Sequence, residues 1–120
     1  MAGMKSEKSG AYAMCFETLS NELRLRILAL LAERRMSVQE LAEKLKAERS
    51  RVSHSLEILR NCKYVDYEKK GKERIYKLVN SMRNGVKTKG AKSMHIFDFV
   101  DAHVEEHCPE CRKIKARQRN

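Results

Sequence analysis

The sequence predicts a mainly helical α+β domain with one small β-hairpin, in the order of a winged helix-turn-helix. Three observations carry this. A short amphipathic helix with its own start signal is followed, after a tight break, by a second helix, all within 37–61. The hydrophobic period then shifts from that of a helix to that of a strand, in two runs flanking a glycine. Nine Lys or Arg stand against four acids in residues 49–77, so half of the net charge of +10 sits on a quarter of the 120 residues.

The elements follow in order. Residues 1–10 are polar and are expected to be a disordered leader, with one domain over 11–108 and a basic tail over 109–120. A helix is expected over 12–19, with Met14 or Cys15, Thr18 and Leu19 near one face. Asn21 can cap a second helix whose Leu23, Ile27, Leu30 and Leu31 recur at helical spacing. Ser37-Val38-Gln39-Glu40 reads as a capping box, in which the Ser37 hydroxyl and the Glu40 carboxylate each take the other residue's backbone N–H. The helix it starts should bury Val38, Leu41, Ala42 and Leu45, and break at 46–48.

The next helix starts at Arg49 or Ser50 and runs to about Asn61, packing through Val52, Leu56 and Leu59 with Ile58 beside them. Residues 64–68 and 74–78 alternate as two strands. Gly71, in Lys69-Lys70-Gly71-Lys72, supplies the positive φ of a tight hairpin. Residues 80–92 are expected to be a loop. A last helix should open at Ser93 or Met94, carry Ile96, Phe99 or Val100, and Val104 as a stripe, and stop near His107 before Pro109.

The basic excess calls for a polyanionic partner, nucleic acid before an anionic membrane surface. The longest apolar run is 27–32, far short of the roughly 20 residues a spanning helix needs. The N-terminus has no signal-peptide pattern, so a cytoplasmic protein is expected. Cys15, Cys62, Cys108 and Cys111 are then expected as thiols, metal ligands or redox sensors, with Cys15 and Cys62 most simply read as buried core thiols.

In a helix-turn-helix the first helix braces the second, which lays its N-terminal side chains in the major groove. Residues 37–79 are therefore the expected DNA-reading unit. Its outward residues are Arg49, Ser50, Arg51, Ser53, His54 and Ser55, with Glu57 and Arg60 further on. Arg can pair bidentately with guanine, and Ser and His suit phosphates or base edges. Lys69, Lys70 and Lys72 at the hairpin tip, with Arg74 alongside, are placed for the backbone or minor groove.

Residues 16–28, Met36-Ser37-Val38-Gln39-Glu40-Leu41-Ala42, the helix at 50–60 and the run Gly71-Lys72-Glu73-Arg74-Ile75-Tyr76-Lys77-Leu78 together resemble the ArsR/SmtB family of repressors. The resemblance covers 12–79, with a weaker echo in the last helix. It implies a homodimer built on the first and last helices, an inverted-repeat operator in double-stranded DNA, and repression released by an inducer. Three positions depart from the family's habit: Glu22 stands for Pro, Ser55 for His and Lys63 for Gly.

The same resemblance frames the sensor. The arsenic- and cadmium-type cysteine pair would lie on the helix over 38–45, which has no cysteine. On the last helix His95 matches the first histidine of the family's zinc, nickel or cobalt site, but Glu106 falls where the partner histidine would, with His107 next to it. Separately, His103, His107, Cys108 and Cys111 offer two imidazoles and a Cys-x-x-Cys pair, a donor set for tetrahedral Zn2+ or another transition metal. Three readings stay open: a metal held by some of these residues, a metal-free redox pair at Cys108 and Cys111, or histidines at a dimer seam with no cofactor. A three-thiolate As(III) site joining Cys15 to Cys108 and Cys111 is a further, weaker option.

No glycine-rich phosphate loop, nucleophile elbow or catalytic cysteine signature is present, so an enzyme is not expected. The alternative to a ligand-responsive repressor is a constitutive architectural or antitoxin-like DNA binder.

Overall fold

The computed structural model describes residues 8–87, 93–106, 108–110 and 113–114. The chain divides into two compact units, Met1–Val79 and Asn80–Asn120. The first holds α1 (Ser9–Leu19), α2 (Glu22–Glu33), β1 (Met36–Ser37), α3 (Val38–Leu45), α4 (Arg49–Asn61), β2 (Val65–Lys70) and β3 (Glu73–Leu78). The second holds α5 (Asn80–Asn84), β4 (Val86–Lys87), β5 (Ser93–Met94) and α6 (Ile96–Glu106).

The core of the first unit forms where α2, α3 and α4 meet the sheet. Ile27, Leu31, Leu41, Val52, Leu56 and Leu59 are wholly buried, and Met36 and Val65 nearly so. Burying a side chain of this size is worth roughly 1.5–3 kcal/mol, so this one cluster dominates the stabilising side. Leu30 and Val38, expected inside, are only half buried.

Local signals set the helix ends. The Asn21 side chain accepts from the Arg24 N–H at 3.0 Å. Arg24 in turn closes the end of α1, donating from Nε to the Thr18 carbonyl (2.6 Å) and from Nη2 to that of Glu17 (3.2 Å). The Glu17 carbonyl also takes the Ser20 N–H (3.2 Å) and hydroxyl (3.2 Å), so Arg24 both follows a cap and adds to one. The Ser37–Glu40 capping box is formed, at 3.2 and 3.3 Å. Arg34, 2.7 Å from Glu40, and the Ser37 N–H hold the Glu40 carboxyl below the usual range.

The sheet runs β1-β3-β2, all antiparallel. Lys70 pairs with Glu73, leaving Gly71 and Lys72 as a two-residue turn. Gly71 alone of the two has positive φ (66°), the pattern of a type II′ turn. β1 was not expected from the sequence. Its two residues pair with Tyr76 and Ile75 some 38 positions on, and a two-residue strand carries no alternation to read.

Four other expectations need correction. α1 starts at Ser9, so the proposed leader at 1–10 overlaps its first residues. Met14 is 71% exposed and Cys15 is exposed, so α1 buries Thr18 and Leu19 alone. The expected loop at 80–92 contains α5 and β4, and β5 pairs Met94 with Val86 and Ser93 with Lys87. α6 opens at Ile96, later than expected, because His95 caps it: the His95 Nδ1 accepts from the Phe97 N–H at 3.1 Å.

Lys63, which stands where the resembling family has Gly, still adopts the left-handed conformation (φ 65°). The reason lies in the chain reversal after α4, where the Lys63 N–H bonds the Arg60 carbonyl (2.9 Å) and the Tyr64 N–H that of Leu59 (2.9 Å). A residue with a Cβ is disfavoured there by about 1–2 kcal/mol, part of which glycine returns as unfolded-state entropy. Lys63→Gly is therefore expected to stabilise the unit by about 0.5–1 kcal/mol, read as a higher urea midpoint at unchanged slope, with no gain in Lys63→Ala.

Candidate nucleic-acid interface

Helix α4 presents two faces. Val52, Ser55, Leu56 and Leu59 turn inward. Arg49, Ser50, Arg51, Ser53, His54, Glu57 and Arg60 are exposed. Ser55 corrects the expected reading set: it is 6% exposed and packs with the core. Its position three residues after Val52 and four before Leu59 already places it on the buried stripe.

The hairpin stands against the start of α4. Arg49 and Ser53 from α4, Lys72 and Arg74 from the wing, and Ser37, Val38 and Gln39 at the start of α3 line one cleft of about 260 Å³, with Glu73 and Tyr76. Four of the nine residues expected to read DNA thus converge on one concavity. Three cations face it, and so does the N-terminal turn of α3, whose backbone dipole favours an anion. Its size and charge suit a backbone phosphate. Gln39 and the α3 turn were not among the expected contacts. Ser50, Arg51 and His54 are exposed on α4 outside the cleft lining, and Lys70 is exposed toward the hairpin tip.

One guanidinium ties the wing to α4 and a second packs within the wing itself. Arg60 of α4 and Arg74 of β3 each lie 4.6 Å from the Tyr67 ring centroid. Tyr67 also packs against Tyr76, centroids 5.4 Å apart. Each contact of this kind is worth about 0.5–1 kcal/mol at an exposed site. Arg60 is also 3.7 Å from Asp66, so it braces the hairpin. Behind the tip, Glu68 bonds Lys77 (2.8 Å) and Arg35 (3.3 Å). Lys77, then Arg35, holds its carboxyl below the usual range.

Of the expected sensor residues, His95, His103, Glu106 and Cys108 lie among the described residues. His95 is engaged at both ring nitrogens: Nδ1 accepts from Phe97 and Nε2 donates to the Met82 carbonyl. A ring so committed has no lone pair for a metal, so His95 does not fit as a ligand. His103 stacks on Phe99, centroids 6.4 Å apart. The Cys108 N–H bonds the His103 carbonyl at 3.0 Å, and Cys108 is half buried. Glu106 is exposed. His107 and Cys111 lie outside the described residues. Among the described residues, no three His, Cys, Asp or Glu gather closely enough to hold a metal.

Cys15 and Cys62, expected in the core, are both exposed. They flank Tyr64, whose hydroxyl is pushed up to about 12, chiefly by burial, then by Cys15 and by Cys62.

Residues 21–67 match the profile described as bacterial regulatory protein, arsR family. The chain is similar to a transcriptional repressor SmtB homolog of Synechocystis sp., with 33% identity over 103 residues, 86% of this chain and 70% of the relative. Among solved structures it is similar to HlyU from Vibrio cholerae, at 28% identity and TM-score 0.58, over 66% of this chain and 87% of that one. It shares the fold of a homodimeric winged helix-turn-helix DNA-binding domain, Mb0332 from Mycobacterium bovis, at 24% identity and TM-score 0.64, over 89% and 96% of the two chains. Among the described residues, no helix is long and apolar enough to cross a membrane.

Proposed function

Since the chain belongs to the ArsR family of DNA-binding transcriptional regulators, we propose that it is a homodimeric repressor that reads an inverted repeat through residues 37–79 and answers to a metal ion or a thiol-directed signal. The observation that carries the DNA-reading part is the meeting of Arg49, Ser53, Lys72 and Arg74 with the start of α3 in one cleft. With a phosphate seated there, the outer face of α4 lies along the major groove, and Arg51 and His54 are its base-reading residues.

Dimerisation through α1 and α6 is supported by what each leaves open. Met14 (71%) and Phe16 (54%) are exposed on α1, and Phe99 (66%), Ile96 and Val100 on α6. Large apolar side chains grouped on a helix mark a surface that another chain covers. Two copies then place two recognition helices on half-sites about 10–10.5 bp apart. The test is recovery of bound fragments from genomic DNA against excess competitor. A shared inverted repeat is expected, and recovery without sequence preference refutes the reading.

The sensing part rests on the Cys-x-x-Cys pair at Cys108 and Cys111 with His103 and His107 close in sequence, a donor set whose chemistry suits Zn2+ when all four converge. Cys108→Ser with Cys111→Ser is expected to abolish any response of operator affinity to Zn2+ or oxidant while leaving the basal affinity intact. An unchanged response in that variant moves the sensor elsewhere. A constitutive binder is the second reading, favoured by His95, whose ring is committed to capping α6. A DNA regulator of this kind is expected to work in the cytoplasm.

A further inference from the structure

Helix α1 meets the end of α4 through sulfur. The Thr18 hydroxyl donates to the Met14 carbonyl (3.1 Å) and also stands 3.3 Å from the Cys62 sulfur. Its one hydrogen is committed to Met14, so the Cys62 S–H donates to the Thr18 oxygen. Cys15 sits three residues before Thr18, a neighbour on the α1 surface. Its thiol and that of Cys62 both act on the Tyr64 hydroxyl, raising it beyond what burial does. Tyr64 lies two residues past Cys62, across the left-handed turn at Lys63. Two exposed thiols from distant parts of the sequence therefore reach one Thr–Tyr junction.

We propose that Cys15 and Cys62 are a peroxide-oxidisable thiol pair that closes to a disulfide and ties α1 to the end of α4. The thiolate of one cysteine attacks the outer oxygen of a peroxide. The O–O bond breaks, the leaving oxygen departs as water or an alcohol, and the sulfur becomes a sulfenic acid. The second thiol attacks that sulfur, the S–O bond breaks, and water leaves with the thiol's proton. Two thiols are oxidised by two electrons and one peroxide is reduced by two. Closing to the S–S length of about 2.05 Å calls on rotation of two solvent-facing side chains. The bond would link a proposed dimer helix to the helix that faces DNA.

The test uses the full chain with Cys108→Ser and Cys111→Ser, so that Cys15 and Cys62 are the remaining thiols. One equivalent of hydrogen peroxide is added, followed by intact mass and non-reducing peptide mapping. The expected result is loss of two hydrogens and of both free thiols together, with peptide 9–24 joined to peptide 61–63, reversed by dithiothreitol. Adding Cys62→Ser is expected to stop the reaction at a sulfenic acid on Cys15, trapped by dimedone. Cys15 joined to Cys15 of a second chain, or unlinked sulfinic acids at either position, overturns the proposal. No arm involves DNA, so the outcome stands apart from the fate of the DNA-reading proposal.

Discussion

Arg51→Ala is expected to weaken binding to the preferred inverted repeat by about 5- to 150-fold, the effect of about 1–3 kcal/mol for a lost bidentate base contact. Arg51 is exposed in the first turn of α4, at the edge of the stripe that buries Val52 and Leu56. The cleft lined by Arg49, Lys72 and Arg74 is suited to fix the register on the phosphates. With register fixed from the cleft, removal of Arg51 should relax the preference at one base position and leave non-specific affinity nearly unchanged. Titration against the repeat and against repeats altered one base pair at a time checks this. An equal loss on every sequence assigns Arg51 to a phosphate. Ser55→Ala is the matched control: its hydroxyl faces the interior, so operator affinity is expected to stay within error.

Leu56→Ala is expected to cost about 2–5 kcal/mol of folding stability, a large part of the 5–15 kcal/mol that holds a typical domain together. Leu56 is wholly buried, on the α4 face that packs against α2 and α3. Deleting three carbons there removes burial and leaves a cavity that the fixed helices cannot close. At about 4–8 °C per kcal/mol for a unit of this size, the melting temperature should fall by about 8 °C or more. Urea denaturation gives the free energy directly, and a loss below 1 kcal/mol contradicts the core assignment.

The elements that local chemistry decides were readable in advance. The Ser37–Glu40 box, the Asn21 cap, the Gly71 turn and the Val52/Leu56/Leu59 stripe depend on neighbours within a few residues, and each is present. Ser55 was open to the same logic, since helical spacing puts it on the stripe. Its hydroxyl drew it toward the reading set instead. Features decided by distant partners were not readable. β1 exists because Met36 meets Tyr76. His95 looked like a ligand because nothing in the sequence shows the Met82 carbonyl waiting for its ring. Cys15 and Cys62 are exposed where α1 meets the residue that ends α4, and two cysteines 47 positions apart give no hint of it. The cleft is of this kind too: the sequence names its cations, and the fold brings Arg49 to Lys72.

The most direct test of the α4-and-wing unit as a sequence reader is the ratio of affinities for the recovered inverted repeat and for unrelated DNA, measured with the full chain at two salt concentrations. Binding that steepens at low salt on both DNAs, with the repeat preferred by about a thousandfold or more and two chains bound per repeat, is the expected result. Salt-dependent binding of equal strength to both DNAs contradicts it.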